Sequence, residues 1–102
     1  MGLRDILKEV AGKHGALPAE LCLPSGTKKA KVMQLTRARQ HFYFRALTET
    51  KLSSARIGLF CNRDGATVRY GGARYALRTG AELPRGWRPS RATITRFIQG
   101  KN

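Results

Sequence analysis

From residue 28 to the end, the chain carries 17 Lys and Arg against 3 Asp and Glu, whereas residues 1–27 balance three of each. The entire net charge of +14 therefore lies in the later part of a 102-residue sequence. So one-sided a segment repels itself when compact unless a partner offsets the charge. The pattern predicts a neutral supporting element followed by a basic binding body. The expected partner is a polyanion, with nucleic acid ahead of an acidic membrane surface. A solvated basic surface kept for solubility is the bland alternative. Length limits the chain to one small domain. A hydrophobic content of 41% suffices for a core and argues against disorder.

Several classes are excluded at this level. No apolar run approaches the ~18 residues of a membrane span, and MGLRDILKEV lacks the apolar core and cleavage site of a secretory signal. Met1-Gly2 has the form of an acylation start, but Ile6 stands where Ser or Thr is needed. Cys22 and Cys61 form no CxxC pair, and His14 and His41 are the only other soft ligands, so no metal site is expected. Both cysteines are expected to be small, half-buried residues in a reducing cytoplasm. The two histidines and six carboxylates show no acid/base pairing, and there is no GxxxxGK[ST] loop. The expectation is a non-enzyme without cofactor.

Along the chain, Leu3, Ile6, Leu7, Val10 and Ala11 mark an amphipathic helix over residues 3–13, with Gly15 as its stop. Pro18-Ala19-Glu20-Leu21 is a short helical turn, and Pro24-Ser25-Gly26 a loop leading into Lys28, Lys29 and Lys31. Three ammonium groups at a helix mouth oppose its dipole, a conflict that a nearby phosphate backbone relieves. The longest helical signal runs from about Ala30 to Thr48. Its apolar face is marked by Val32, Leu35, Phe42, Tyr43, Ala46 and Leu47, with Lys31, Gln34, Arg37 and Arg45 mostly off it. His41-Phe42-Tyr43-Phe44 is either a base-stacking platform or, as is commoner at helical spacing, part of the core.

Ser53 is a good cap for a short helix from Ser54 to about Leu59, and Cys61-Asn62-Arg63-Asp64-Gly65 is a tight turn. Asp64 then caps a helix from Gly65 to about Arg78, ended by Gly80. Two short helices across a tight turn, the second bearing Arg69, Arg74 and Arg78, suggest a helix-turn-helix. A rival is a β-hairpin, because Thr67-Val68-Arg69-Tyr70 and Ala73-Arg74-Tyr75-Ala76 alternate around Gly71-Gly72. Two glycines inside a helix cost roughly 2 kcal/mol relative to alanine. Periodicity alone leaves both open.

Residues 3–78 resemble the C-terminal DNA-binding domain of the DnaA replication initiator. The shared features are a basic loop (Lys28-Lys29-Ala30-Lys31), Ala38-Arg39-Gln40 early in a long helix, Ile57-Gly58-Leu59-Phe60, and Arg63-Asp64-Gly65-Ala66-Thr67-Val68. The resemblance implies an all-α fold, a compact bundle of about five to six helices with a DnaA/Trp-repressor-like helix-turn-helix, and it favours helix over hairpin for residues 65–78. It also implies roles. Lys28, Lys29 and Lys31 would reach a minor groove; Arg39 and Gln40 would contact the DNA backbone; Arg63 would hold phosphate; Arg37, Ser53 and Ser54 are further candidate DNA-binding residues. Asp64 would cap the helix and face a cytosine amine, with Gly65, Ala66 and Thr67 at the bases. Arg69, Tyr70 and Arg74 project from the same helix, and one or two of them are expected to face the core.

Departures from the family matter too. Where initiators carry a base-reading His-Thr pair, this chain has Gly65 and Ala66, and Ser54-Ala55 replaces the usual Leu-Pro. A groove contact is therefore expected without the initiator's own box as target. The resemblance implies a free-standing version of the domain, without the initiator's ATPase module. The small activators of phage-like elements and gene transfer agents, which also resemble this domain, are the analogy.

Residues 80–102 lie outside the resemblance. They comprise a basic connection, Pro84-Arg85-Gly86-Trp87-Arg88-Pro89, and a short helix capped by Ser90 with Ile94, Phe97 and Ile98 on one face. That face either packs on the parent domain or meets a partner. The division is thus a DNA-binding domain over 1–79 and a basic linker with a C-terminal helix over 80–102. The expected function is a cytoplasmic, nucleoid-associated regulator of transcription that binds double-stranded DNA. RNA polymerase or a second regulatory protein is a candidate partner, and no membrane is involved. The alternatives are a small basic RNA-binding or ribosome-associated protein and a replication or packaging accessory factor.

Overall fold

A computed structural model of the chain describes residues 2–22 and 29–84, with residues 29–31 described by their backbone. Five helices follow one another: α1 (Leu3–Lys13), α2 (Pro18–Cys22), α3 (Lys29–Glu49), α4 (Ser54–Phe60) and α5 (Gly65–Thr79). The fold is all-α, and no strand occurs among the described residues. The C-terminal helix expected after Ser90 lies outside them. No described helix is long and apolar enough to cross a membrane.

Local chemistry accounts for the helix ends. Gly15 takes a positive φ of 67° just past the His14 cap of α1, a conformation that costs glycine little. Pro18 opens α2, and the Glu20 carboxylate accepts the Leu17 amide at 2.9 Å. The Ser53 hydroxyl accepts the Arg56 amide at 3.2 Å to cap α4. Asp64 Oδ1 accepts the Thr67 amide at 2.7 Å to cap α5, and Gly80 closes α5 with φ 79°.

The core forms around α3, which buries Leu35, Ala38, Phe42, Tyr43, Ala46 and Leu47. Helix α1 contributes Ile6, Leu7, Val10 and Ala11, α2 contributes Leu21, and α4 contributes Ile57. Helix α5 lies along α3 through Val68, Gly71, Gly72, Ala73 and Ala76. A Cβ at position 71 would sit 2.6 Å from Cδ2 of Tyr43, and one at position 72 would sit 3.0 Å from Cδ1 of Leu47. The segment is thus the helix expected over residues 65–78, not the rival hairpin, and its two glycines admit the flank of α3. Their propensity cost is offset by burial of the large side chains they admit.

The aromatic run on α3 is spent on packing. Phe42 and Tyr43 are buried, His41 stacks on Tyr75 with centroids 4.7 Å apart, and Phe44 meets the same ring at 4.9 Å. His41 Nδ1 also pairs with His14 Nε2 at 3.1 Å, which joins α1 to α3 beside α5. Arg45 bonds Glu9 at 3.0 Å and Glu49 at 2.6 Å, tying α1 to the end of α3. One expectation fails on α3. Val32 is 45% exposed rather than part of the apolar face, because the stripe runs one turn beyond the buried positions that begin at Leu35.

Two outcomes follow from this packing. Gly71→Ala is expected to destabilise the protein by about 1–3 kcal/mol despite its better helix propensity, because the ring of Tyr43 blocks the added methyl. Gly72→Ala is tight only against the flexible end of Leu47, with the Phe44 backbone at an ordinary contact distance of 3.5 Å, and is expected to cost less; urea unfolding of both variants measures the difference. Burial, then His14, Lys13 and Arg45, push the His41 pKa from the usual 6.5 down to about 4, with Glu49 opposing. The unfolded chain thus takes up the proton first. Stability should be full above about pH 6.5 and fall as the pH drops toward about 4. His41→Phe should flatten most of that slope in unfolding curves recorded across this range.

Candidate nucleic-acid interface

The connection from α4 to α5 is a backbone clasp. Asn62 adopts a left-handed φ of 58°, and the Arg63 amide then donates to the Gly58 carbonyl at 2.7 Å. Gly58 is buried, and a Cβ there would run into the carbonyl oxygen of Arg63. At the other end, a Cβ on Gly65 would lie 3.1 Å from the Ala55 amide nitrogen. The starts of α4 and α5 are therefore close neighbours, and Arg69 ties them further by donating to the Ser54 hydroxyl at 2.9 Å.

Beside this clasp an open groove of about 470 Å³ runs between α3 and the first half of α5. Thr36, Arg39, Gln40 and Tyr43 form one wall, and Arg63, Asp64, Ala66, Thr67, Tyr70, Gly71 and Arg74 form the other. Three guanidinium groups thus meet at one depression. Arg39 is oriented by the last carbonyls of α2, donating to Leu21 at 2.9 Å and Glu20 at 3.2 Å. Arg63 donates to the carbonyls of Asn62 at 3.2 Å and Cys61 at 3.4 Å. The Thr67 amide, followed by the Thr67 hydroxyl and Arg69, holds the Asp64 carboxyl below the usual carboxylate range. The cap is thus charged at neutral pH.

Eight of the residues selected from sequence line this groove: Arg39, Gln40, Arg63, Asp64, Ala66, Thr67, Tyr70 and Arg74. Gly65 stands at the start of α5 beside them, and Arg37 is exposed on α3. Ser53 and Ser54 are engaged in the cap and the tie to Arg69. Lys28 lies outside the described residues, and Lys29 and Lys31 belong to the first turn of α3.

Three readings change. Arg69 and Tyr70 are exposed and Arg74 is half-buried, so none of the three enters the core. Val68, Gly71, Gly72, Ala73 and Ala76 fill the inward positions of α5. Gln40 is only 7% exposed, and its Oε1 accepts from Arg78 Nη1 at 2.6 Å, so it props the groove wall from within. Cys61 is buried rather than half-buried, and its Sγ lies 2.6 Å from that of half-buried Cys22.

The sequence reading also missed the Tyr43 hydroxyl, which is buried without a hydrogen-bond partner among the described residues. Burial pushes its pKa up to about 12, with Arg63 and Arg39 opposing. No local pattern marks this, since the hydroxyl belongs to a residue otherwise typical of a core.

No protein-family model, curated protein or solved structure matches the chain. The functional reading accordingly rests on the residues of the groove itself.

The role of Gln40 has a direct check. Gln40→Ala removes the acceptor of Arg78 and is expected to cost about 1–2 kcal/mol of stability. Adding Arg78→Ala should then cost little more, and a double-mutant cycle in urea reads the coupling.

Proposed function

We propose that this protein binds double-stranded DNA in a sequence-specific manner and regulates transcription. In this reading the first half of α5 enters a major groove, and the lysines at 28, 29 and 31 reach the adjacent minor groove. One observation carries it: an exposed row on α5 (Ala66, Thr67, Arg69, Tyr70) stands directly beside a groove bearing Arg39, Arg63 and Arg74. Cations that hold phosphates thus flank small residues that can approach base edges.

The major groove of B-DNA admits an α-helix, whereas that of A-form RNA is too narrow and deep for side chains to read. An exposed outer face at the start of α5, with small residues at its tip, therefore favours DNA as the polyanion. The Thr67 hydroxyl and the Ala66 methyl are the base-reading groups, the latter suited to a thymine methyl. Asp64 serves chiefly as the cap that aims them. The resemblance to the DnaA DNA-binding domain supports the same assignment, and Gly65-Ala66 in place of His-Thr supports a target other than the initiator's box. Activation of a phage-like or mobile gene cluster is the role that analogy suggests.

With about six to eight phosphate contacts, affinity for duplex DNA should fall with salt at a log–log slope of about −5 to −7. Arg63→Ala should weaken binding to all duplexes alike, and Thr67→Ala should erase about 1–3 kcal/mol of sequence preference. Sequencing of DNA recovered with the tagged protein should give a few sharp promoter peaks. A slope near −1, or RNA bound as tightly as duplex DNA, would overturn the reading.

A further inference from the structure

The chain holds two cysteines, 39 residues apart in sequence, and the fold brings their sulfurs to 2.6 Å. Cys22 is the last residue of α2, and Cys61 is the C-cap of α4, at the start of the clasp into α5. A disulfide needs sulfurs about 2.05 Å apart, and little movement separates the present arrangement from that bond. From this contact we infer that Cys22 and Cys61 are a redox modification site, at which a peroxide-class oxidant forms a reversible disulfide bracing α2 against the α4–α5 turn.

Their surroundings divide the labour. Cys22 is half-buried, whereas Cys61 is only 1% exposed, so an oxidant meets Cys22 first. The hydrogen bond from Cys61, then the charges of Arg63 and Arg39, push the Cys22 pKa down to about 7 against the effect of burial. The same hydrogen bond and burial push Cys61 up. A thiolate is thus available at Cys22 near neutral pH, and thiolates are the nucleophiles of thiol chemistry.

In the first step the Cys22 thiolate attacks one peroxide oxygen. An S–O bond forms, the O–O bond breaks, and the departing hydroxide takes up a proton as water. In the second step Cys61 attacks the Cys22 sulfur, so that the S–S bond forms and the S–O bond breaks. The hydroxyl leaves with the Cys61 proton as a second water. Two thiols have lost two electrons, and the peroxide has gained them.

The bond would close a ring through the groove wall. Arg39 is anchored on Glu20 and Leu21, immediately before Cys22, and Arg63 bonds the carbonyl of Cys61. Oxidation would therefore join the supports of both arginines. The effect of the bond on stability comes from constraining the unfolded chain over the intervening segment.

The test uses the folded full-length chain treated with hydrogen peroxide and quenched with an alkylating reagent. The expected product is a monomer lighter than the reduced protein by two hydrogens, with both thiols protected together. Peptide mapping should join Cys22 to Cys61, and dithiothreitol should restore two alkylatable thiols. The bond should form at least about tenfold faster in the native protein than in urea. The oxidised protein should melt about 10 °C higher than the reduced one. Cys61→Ser should leave Cys22 as a sulfenic acid that dimedone traps. Oxygen added to wild-type Cys22 while Cys61 remains alkylatable, a disulfide-linked dimer, equal rates in urea, or an unchanged melting temperature would each overturn the proposal.

Discussion

The approach of α5 to α3 governs both the interior and the surface of this protein. Tyr43 presses its ring edge against the backbone of α5 at Gly71, and Leu47 does the same at Gly72. Each glycine costs about 1 kcal/mol of helix propensity relative to alanine. Burying a side chain the size of Leu or Phe is worth about 1.5–3 kcal/mol, so the contact is favourable as a whole. The same approach makes the groove, since Gln40 and Tyr43 on one wall face Tyr70, Gly71 and Arg74 on the other. A wider separation would empty the core and flatten the groove at once.

Charge is sorted with equal economy. Glu9 and Glu49 are held by Arg45, Glu20 accepts the amide of Leu17, and Asp64 caps α5. These four carboxylates are thus drawn into the upkeep of helices and their ties, while cations such as Arg37 and Arg56 are exposed. Cohesion comes from the apolar interior and the caps. Exposed ion pairs contribute little in water, so the excess of cations over carboxylates adds little to cohesion.

Much of this was legible in the sequence because helix signals are local. The stripe Ile6, Leu7, Val10, Ala11, the caps Ser53 and Asp64, and the stop at Gly80 each depend on neighbours within a turn or two. Eight groove residues were legible from sequence, six in the segments 39–40 and 63–67 and two, Tyr70 and Arg74, as projections of the helix that follows. What escaped depends on contacts between distant segments. The alternation from Thr67 to Ala76 suits a hairpin as well as a helix; the resemblance favours the helix, but the reason for its two glycines, the flank of α3 at Tyr43 and Leu47, has no local sign. Gln40 turns inward because Arg78, 38 residues later, supplies its donor. The meeting of Cys22 with Cys61 has no local signature, and the exposure of Val32 reflects where the packing ends.

The clasp at Gly58 has a bearing on how such a protein can diversify. The α4–α5 junction rests on main-chain contact, between Gly58 and the carbonyl and amide of Arg63, and on the fit of Gly65 against Ala55. Outer positions such as Arg56, Ala66 and Thr67 are exposed and take no part in that contact through their side chains. Their identities can drift while α5 keeps its aim. The fold thereby separates a steric demand, two glycines at a joint, from the outer side chains of the helix they orient, which carry none of it.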